Sequence, residues 1–137
     1  MSLLFGALMK VIILDDSRTD SYLASQVAKN YFAEVEVYGT PADFHAGLKR
    51  GPEPDLMLMD VHIGDLCNGI GELASIKEQY NSTSFIPTII VTASADAALH
   101  KLAMERGADA VIVKPISKEK LEPILRELLP ELQIEGA

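Results

Sequence analysis

Five short strand-like runs recur along this chain, and between them lie longer segments with helical spacing. That alternation limits the possible folds more than any other feature. The runs are Lys10–Leu14 (KVIIL), Glu34–Gly39 (EVEVYG), Asp55–Met59 (DLMLM), Pro87–Thr92 (PTIIVT) and Ala110–Val113 (AVIV). Four of the five are apolar at nearly every position. A strand with one wet face alternates; a strand covered on both faces does not. Only EVEVYG alternates, which suits an edge with one covered face.

The intervening segments read as helices. In SRTDSYLASQVAKNYF, Leu23, Val27, Ala28 and Tyr31 share one helical face, and Ser17 with Asp20 resembles a capping box. TPADFHAGLKRG has Thr40 as N-cap, Pro41 in the first turn and Gly51 just past the end. Ile70–Tyr80, Asp96–Gly107 and Ser117–Leu129 complete the set; Gly107 closes the fourth helix. Pro123 inside the last one predicts a kink or a delayed start. Five βα units without internal repeat or linker predict a doubly wound α/β fold, a parallel sheet of about five strands with helices on both faces.

Length and charge narrow the function. A chain of 137 residues with 48% hydrophobic content suits one domain with a substantial core. A net charge of −8 disfavours nucleic acid or an anionic membrane as a partner. The single cysteine, Cys67, excludes a disulfide framework and reads as an exposed loop thiol, and the cytoplasm is the expected compartment. Residues 1–8 read as an N-terminal extension outside the core, 9–130 as the domain and 131–137 as a C-terminal tail.

Ligands of open parallel sheets bind at the carboxyl ends of the strands. Here those ends carry Asp15 and Asp16 after the first run, Asp60 after the third, Thr92 at the end of the fourth and Lys114 after the fifth. Three carboxylates at close range repel one another unless cations intervene. Lys114 offsets one charge. A hard divalent ion such as magnesium (Mg2+) suits the remainder. With a carboxylate as nucleophile, this set is fit for phosphoryl transfer.

The segments ILDD, LMLMD, IIVTAS and VIVKP, in this order, resemble the receiver domain of two-component response regulators over residues 9–130. The resemblance implies a flavodoxin-like sheet of order 2-1-3-4-5. It implies Asp60 as phosphoacceptor, Asp15, Asp16 and Asp60 with the backbone carbonyl of His62 as magnesium ligands, and Thr92 and Lys114 as phosphoryl contacts. It also implies a cis Lys114–Pro115 bond. The implied donor is a histidine kinase or histidine phosphotransfer protein, and the implied recipient of the signal is a downstream protein or output domain. Pairing of two copies through the face of helix four, strand five and helix five is a further implication.

Three features depart from the family pattern. Val111 stands where an aromatic is common, so the usual threonine–aromatic coupling cannot operate in that form. The loop after Asp60 reaches Gly69 one residue late and lacks a proline. His62 and Ser94 occupy positions that flank the path of a hydrolytic water. Two alternatives remain: a pseudo-receiver that keeps the fold without phosphorylation, and a phosphatase of the haloacid dehalogenase type. The latter family wants two aspartates one residue apart after the first strand; here they are adjacent.

Overall fold

The computed structural model describes residues 9–50, 52–63, 67–68, 71, 73 and 86–132; of residues 62, 63, 67 and 68 it describes the backbone. Its elements are β1 (Lys10–Leu14), α1 (Arg18–Ala28), β2 (Glu34–Tyr38), α2 (Pro41–Lys49), β3 (Leu56–Asp60), β4 (His62–Ile63), β5 (Cys67–Asn68), β6 (Thr88–Thr92), α3 (Ala97–Glu105), β7 (Ala110–Val113) and α4 (Lys118–Leu128). The main sheet runs β2-β1-β3-β6-β7, and every pairing in it is parallel. This is the doubly wound sheet the alternation predicts, in the order the resemblance implies. The helix expected over residues 70–80 lies almost wholly outside the described residues, although Gly71 and Leu73 are helical and Leu73 is buried.

The apolar runs are explained by two cores, one on each face of the sheet. Alternate strand residues Val11, Ile13, Leu58 and Val91 pack with Ala24, Val27, Leu121 and Leu125 of α1 and α4. Their neighbours Ile12, Leu14, Met59 and Ile90 pack with Phe44 of α2 and Ala103 of α3. Side chains of a strand alternate between faces, so a strand sandwiched by helices needs apolar residues at every position.

Both outer strands are wetter than the interior ones. In β7 only Ile112 is buried. That differs from the fully covered strand its sequence suggests, because β7 is an edge with β6 as its one neighbour. In β2 the expected alternation is broken: Val37 is 40% exposed, whereas Glu36 is half-buried. Glu36 is drawn inward by Lys10, whose Nζ is 3.2 Å away, and by the Tyr38 hydroxyl, which donates to it at 2.7 Å.

Helix boundaries follow local chemistry. Thr40 and Ser17 cap α2 and α1 by accepting from the amides of Asp43 and Asp20, each at 3.2 Å. Gly107 has φ of 117°, a conformation that costs a side chain energy. It lets the amides of Gly107 and Ala108 return to the carbonyls of Met104 and Ala103, closing α3. The delayed start considered for the last helix does not occur. Ser117 caps it, and the helix runs through Pro123 to Leu128. Pro123 is on the exposed face, where water can serve the carbonyl that its missing N–H leaves. Tyr31, by contrast, lies beyond α1, and Leu23 is 38% exposed; Ala24 takes the inward position. Leu132, placed in the tail by sequence, is buried in the first core.

Candidate functional site

Strand register builds the site. Leu14 pairs with Met59, so Asp15 follows level with Asp60. Asp60 pairs with Val91, and Thr92 is the next residue along β6. Thr92 pairs with Val113, and Lys114 comes next. Each functional side chain therefore sits one step past, or at the last step of, a strand whose apolar residues fix its height. The backbone holds these ends together: the Lys114 amide donates to the Thr92 carbonyl at 2.7 Å, and the Asp15 amide to the Tyr38 carbonyl at 3.0 Å.

Asp15, Asp60 and Thr92 are buried, and Asp16 is exposed. Carboxylate oxygens of Asp15, Asp16 and Asp60 all lie within 4.8 Å of one another. Such a set of hard oxygen donors, two of them held in the protein, has the chemistry to hold magnesium and leaves the open side to water and phosphate. The Lys114 ammonium reaches across the cluster. Its Nζ is 3.1 Å from Asp15, 3.3 Å from Asp60 and 2.8 Å from Asp20. Burial disfavours the lysine charge. The hydrogen bonds to Asp20 and Asp15 and the charges of Asp15 and Asp60 outweigh that, so its pKa rises above the usual lysine value. The Lys114–Pro115 peptide is cis, as the resemblance implied.

Asp20 was not read as part of this site. Its backbone follows the capping pattern, but its carboxylate does not return to the Ser17 amide. That amide already donates to Asp15 Oδ1 at 2.9 Å. The Asp20 side chain turns to Lys114 instead. The available signal was its place one helical turn past the Asp15–Asp16 pair.

The β6–α3 connection is ordered by short-range bonds. Thr92 Oγ1 accepts from the Ser94 amide at 3.1 Å, and Ser94 Oγ from the Asp96 amide at 3.1 Å. His100, given no role from sequence, has Nε2 2.8 Å from the Ser94 carbonyl oxygen. A carbonyl only accepts, so Nε2 carries the proton in that contact. Val111 is half-buried at the margin of the second core, as is Leu99.

After Asp60 the chain forms the β4–β5 ribbon, in which His62 pairs with Asn68 and Ile63 with Cys67. Cys67 is thus a strand residue, not a loop residue as its sequence setting suggested. Gly69 lies outside the described residues.

Comparison with known proteins agrees with this arrangement. The sequence pattern described as the response regulator receiver domain matches residues 11–126. A probable chemotaxis protein CheY from Rhizobium etli is 30% identical over 128 residues, covering 91% of this chain and 95% of that protein. A probable transcriptional regulator ycf27 from Guillardia theta is 30% identical over 122 residues, 88% of this chain; the chain spans 45% of that protein's length. Among solved structures, a CheY-like receiver domain protein from Methanospirillum hungatei superposes with a TM-score of 0.75 at 25% identity, over 90% of this chain and 96% of that one. A five-stranded parallel sheet with an acid cluster and a lysine at its carboxyl edge defines the class, a signalling module of two-component systems. The chain belongs to the response regulator receiver domain family. Among the described residues, no helix is long and apolar enough to cross a membrane.

Proposed function

We propose that this domain accepts a phosphoryl group on Asp60 from a phosphohistidine of a histidine kinase or phosphotransfer protein. The observation that carries this reading is the Lys114 ammonium lying against both Asp15 and Asp60 beside Asp16. An Asp60 oxygen attacks phosphorus in line. The P–N bond to the donor imidazole breaks, the imidazole keeps the bonding pair, and a P–O bond to Asp60 forms. Lys114 and the Thr92 hydroxyl meet the phosphoryl oxygens and offset their charge. Asp15, Asp16, Asp60 and the His62 carbonyl would hold magnesium, which when bound would supply further charge neutralisation there.

Phosphorylation then shifts the domain between two conformations and changes its affinity for a downstream protein or output domain. With Val111 in place of an aromatic, the readout runs through something other than a threonine–aromatic pair. A second copy docking on the face of α3, β7 and α4 is one candidate route. The setting is cytoplasmic, and the domain turns over no free substrate.

Incubation with acetyl phosphate and magnesium, followed by intact mass, tests the proposal. One phosphoryl adduct is expected. No adduct, and no complex with beryllofluoride, would favour the pseudo-receiver; steady hydrolysis of a small phosphomonoester would favour the phosphatase.

A further inference from the structure

Of the three carboxylates on Lys114, the closest is Asp20, which belongs to α1 rather than to a strand end. Asp20 is anchored through its backbone: Ser17 caps its amide at 3.2 Å. Its carboxylate is free of the cap, because Asp15 has taken the Ser17 N–H. So α1 presents an anion to the lysine in addition to the strand-end carboxylates, at 2.8 Å against 3.1 and 3.3 Å. The Asp20 side chain is 42% exposed, whereas that of Lys114 is 15% exposed.

We propose that Asp20 is a positioning residue that restrains phosphorylation by holding Lys114 in its resting place. This inference rests on Asp60 being the phosphoacceptor. A phosphoryl group arriving at Asp60 needs the ammonium on its own oxygens. Lys114 must then leave Asp20, and the lost ion pair adds to the barrier for phosphoryl acceptance. Once the group is in place the pair is already broken, so Asp20 has no such hold on the reverse hydrolytic step. A half-exposed pair of this kind amounts to a modest restraint, about a fivefold effect on rate.

The chemistry it modulates is balanced without a further reactant. With acetyl phosphate, the bond from phosphorus to the acetyl oxygen breaks, acetate departs with the bonding pair, and the Asp60 oxygen takes its place on phosphorus.

The test compares wild type with Asp20→Asn and Asp20→Ala. Both changes leave the Asp20 amide on Ser17. Phosphorylation is timed by intact mass with acetyl phosphate, a dianion, and with phosphoramidate, which carries less charge. Hydrolysis of the adduct is timed after the donor is removed. The expected result is phosphorylation about fivefold faster in both variants, with either donor, and hydrolysis unchanged. Equal phosphorylation rates in wild type and variants overturn the inference and leave Asp60 as acceptor intact. Acceleration seen only with acetyl phosphate also overturns it, since Asp20 would then act by repelling the donor. Equal changes in phosphorylation and hydrolysis point to a general structural role and overturn it as well. A wild type that takes no phosphoryl group from either donor removes the underlying reading, and this inference with it.

Discussion

The Lys114 ammonium stands 3.3 Å from the Asp60 carboxylate, the one brought by the end of β7 and the other by the end of β3. With β6 between those strands, only a sheet of the observed order sets them side by side. Lys114 also binds Asp15 and Asp20, so it serves as the local counter-charge for carboxylates from three separate elements. Replacing it with methionine leaves buried Asp15 and Asp60 without that partner. The expected cost is about 1–3 kcal/mol in urea unfolding without magnesium. Undiminished stability in that variant would mean the ion pairs contribute nothing net.

The mutual repulsion of Asp15, Asp16 and Asp60 sets a second expectation. Magnesium should raise the melting temperature of wild type, because it binds the folded cluster and not the unfolded chain. Asp16→Asn removes an exposed member of the cluster. It should leave metal-free stability unchanged or higher, while much of the magnesium-dependent increment disappears. Thermal unfolding across a magnesium titration reads both; equal increments in the two proteins would place the metal elsewhere.

Tyr31 gives the pH dependence. Its hydroxyl donates to Glu122 at 2.5 Å, joining the segment that follows α1 to α4. Burial, and then the Glu122 hydrogen bond and charge, raise its pKa above that of a free tyrosine. A group whose folded pKa is raised contributes stability that is complete below the unfolded value, near ~10, and is lost as pH climbs toward the folded value. Tyr31→Phe should therefore cost about 1 kcal/mol at neutral pH and flatten the decline of stability above pH ~10. Parallel alkaline profiles for the two proteins would contradict this.

Two glycines carry local conformational demands. Gly107→Ala forces a side chain into a left-handed position and should cost about 1–2 kcal/mol. At Gly47, an added Cβ would come within 2.5 Å of the Tyr38 ring, which packs edge-on against Phe44 and hydrogen-bonds Glu36 and Arg50. Gly47→Ala should cost about 1–3 kcal/mol, and less in a Tyr38→Ala background. Chemical denaturation of the four proteins checks the coupling; strict additivity would show that the ring moves aside freely.

The parts of this structure that were legible in the sequence are those fixed by periodicity. KVIIL and LMLMD needed two covered faces, so their strands, and the level of Asp15 and Asp60 above them, followed. Thr92 and Lys114 were placed by the same logic. What sequence missed depended on competition between side chains. Asp20 read as a helix cap because nothing in the pattern showed that Asp15 would take the Ser17 amide first. The alternation of EVEVYG did not show that Glu36 turns inward, because its partner Lys10 lies on the neighbouring strand. The ribbon at Cys67 escaped notice because two-residue strands have too little pattern to register. His100 gave no sign of its carbonyl partner, which lies on a loop.

Whether Asp60 is the phosphoacceptor is decided by locating the adduct. Wild type is treated with acetyl phosphate and magnesium, digested, and the modified peptide identified by mass spectrometry. One hydroxylamine-labile phosphoryl group is expected on the peptide carrying Asp60, and none on Asp60→Asn. A labile adduct of equal yield on Asp60→Asn, or one mapped to Asp15 or Asp16, would contradict it.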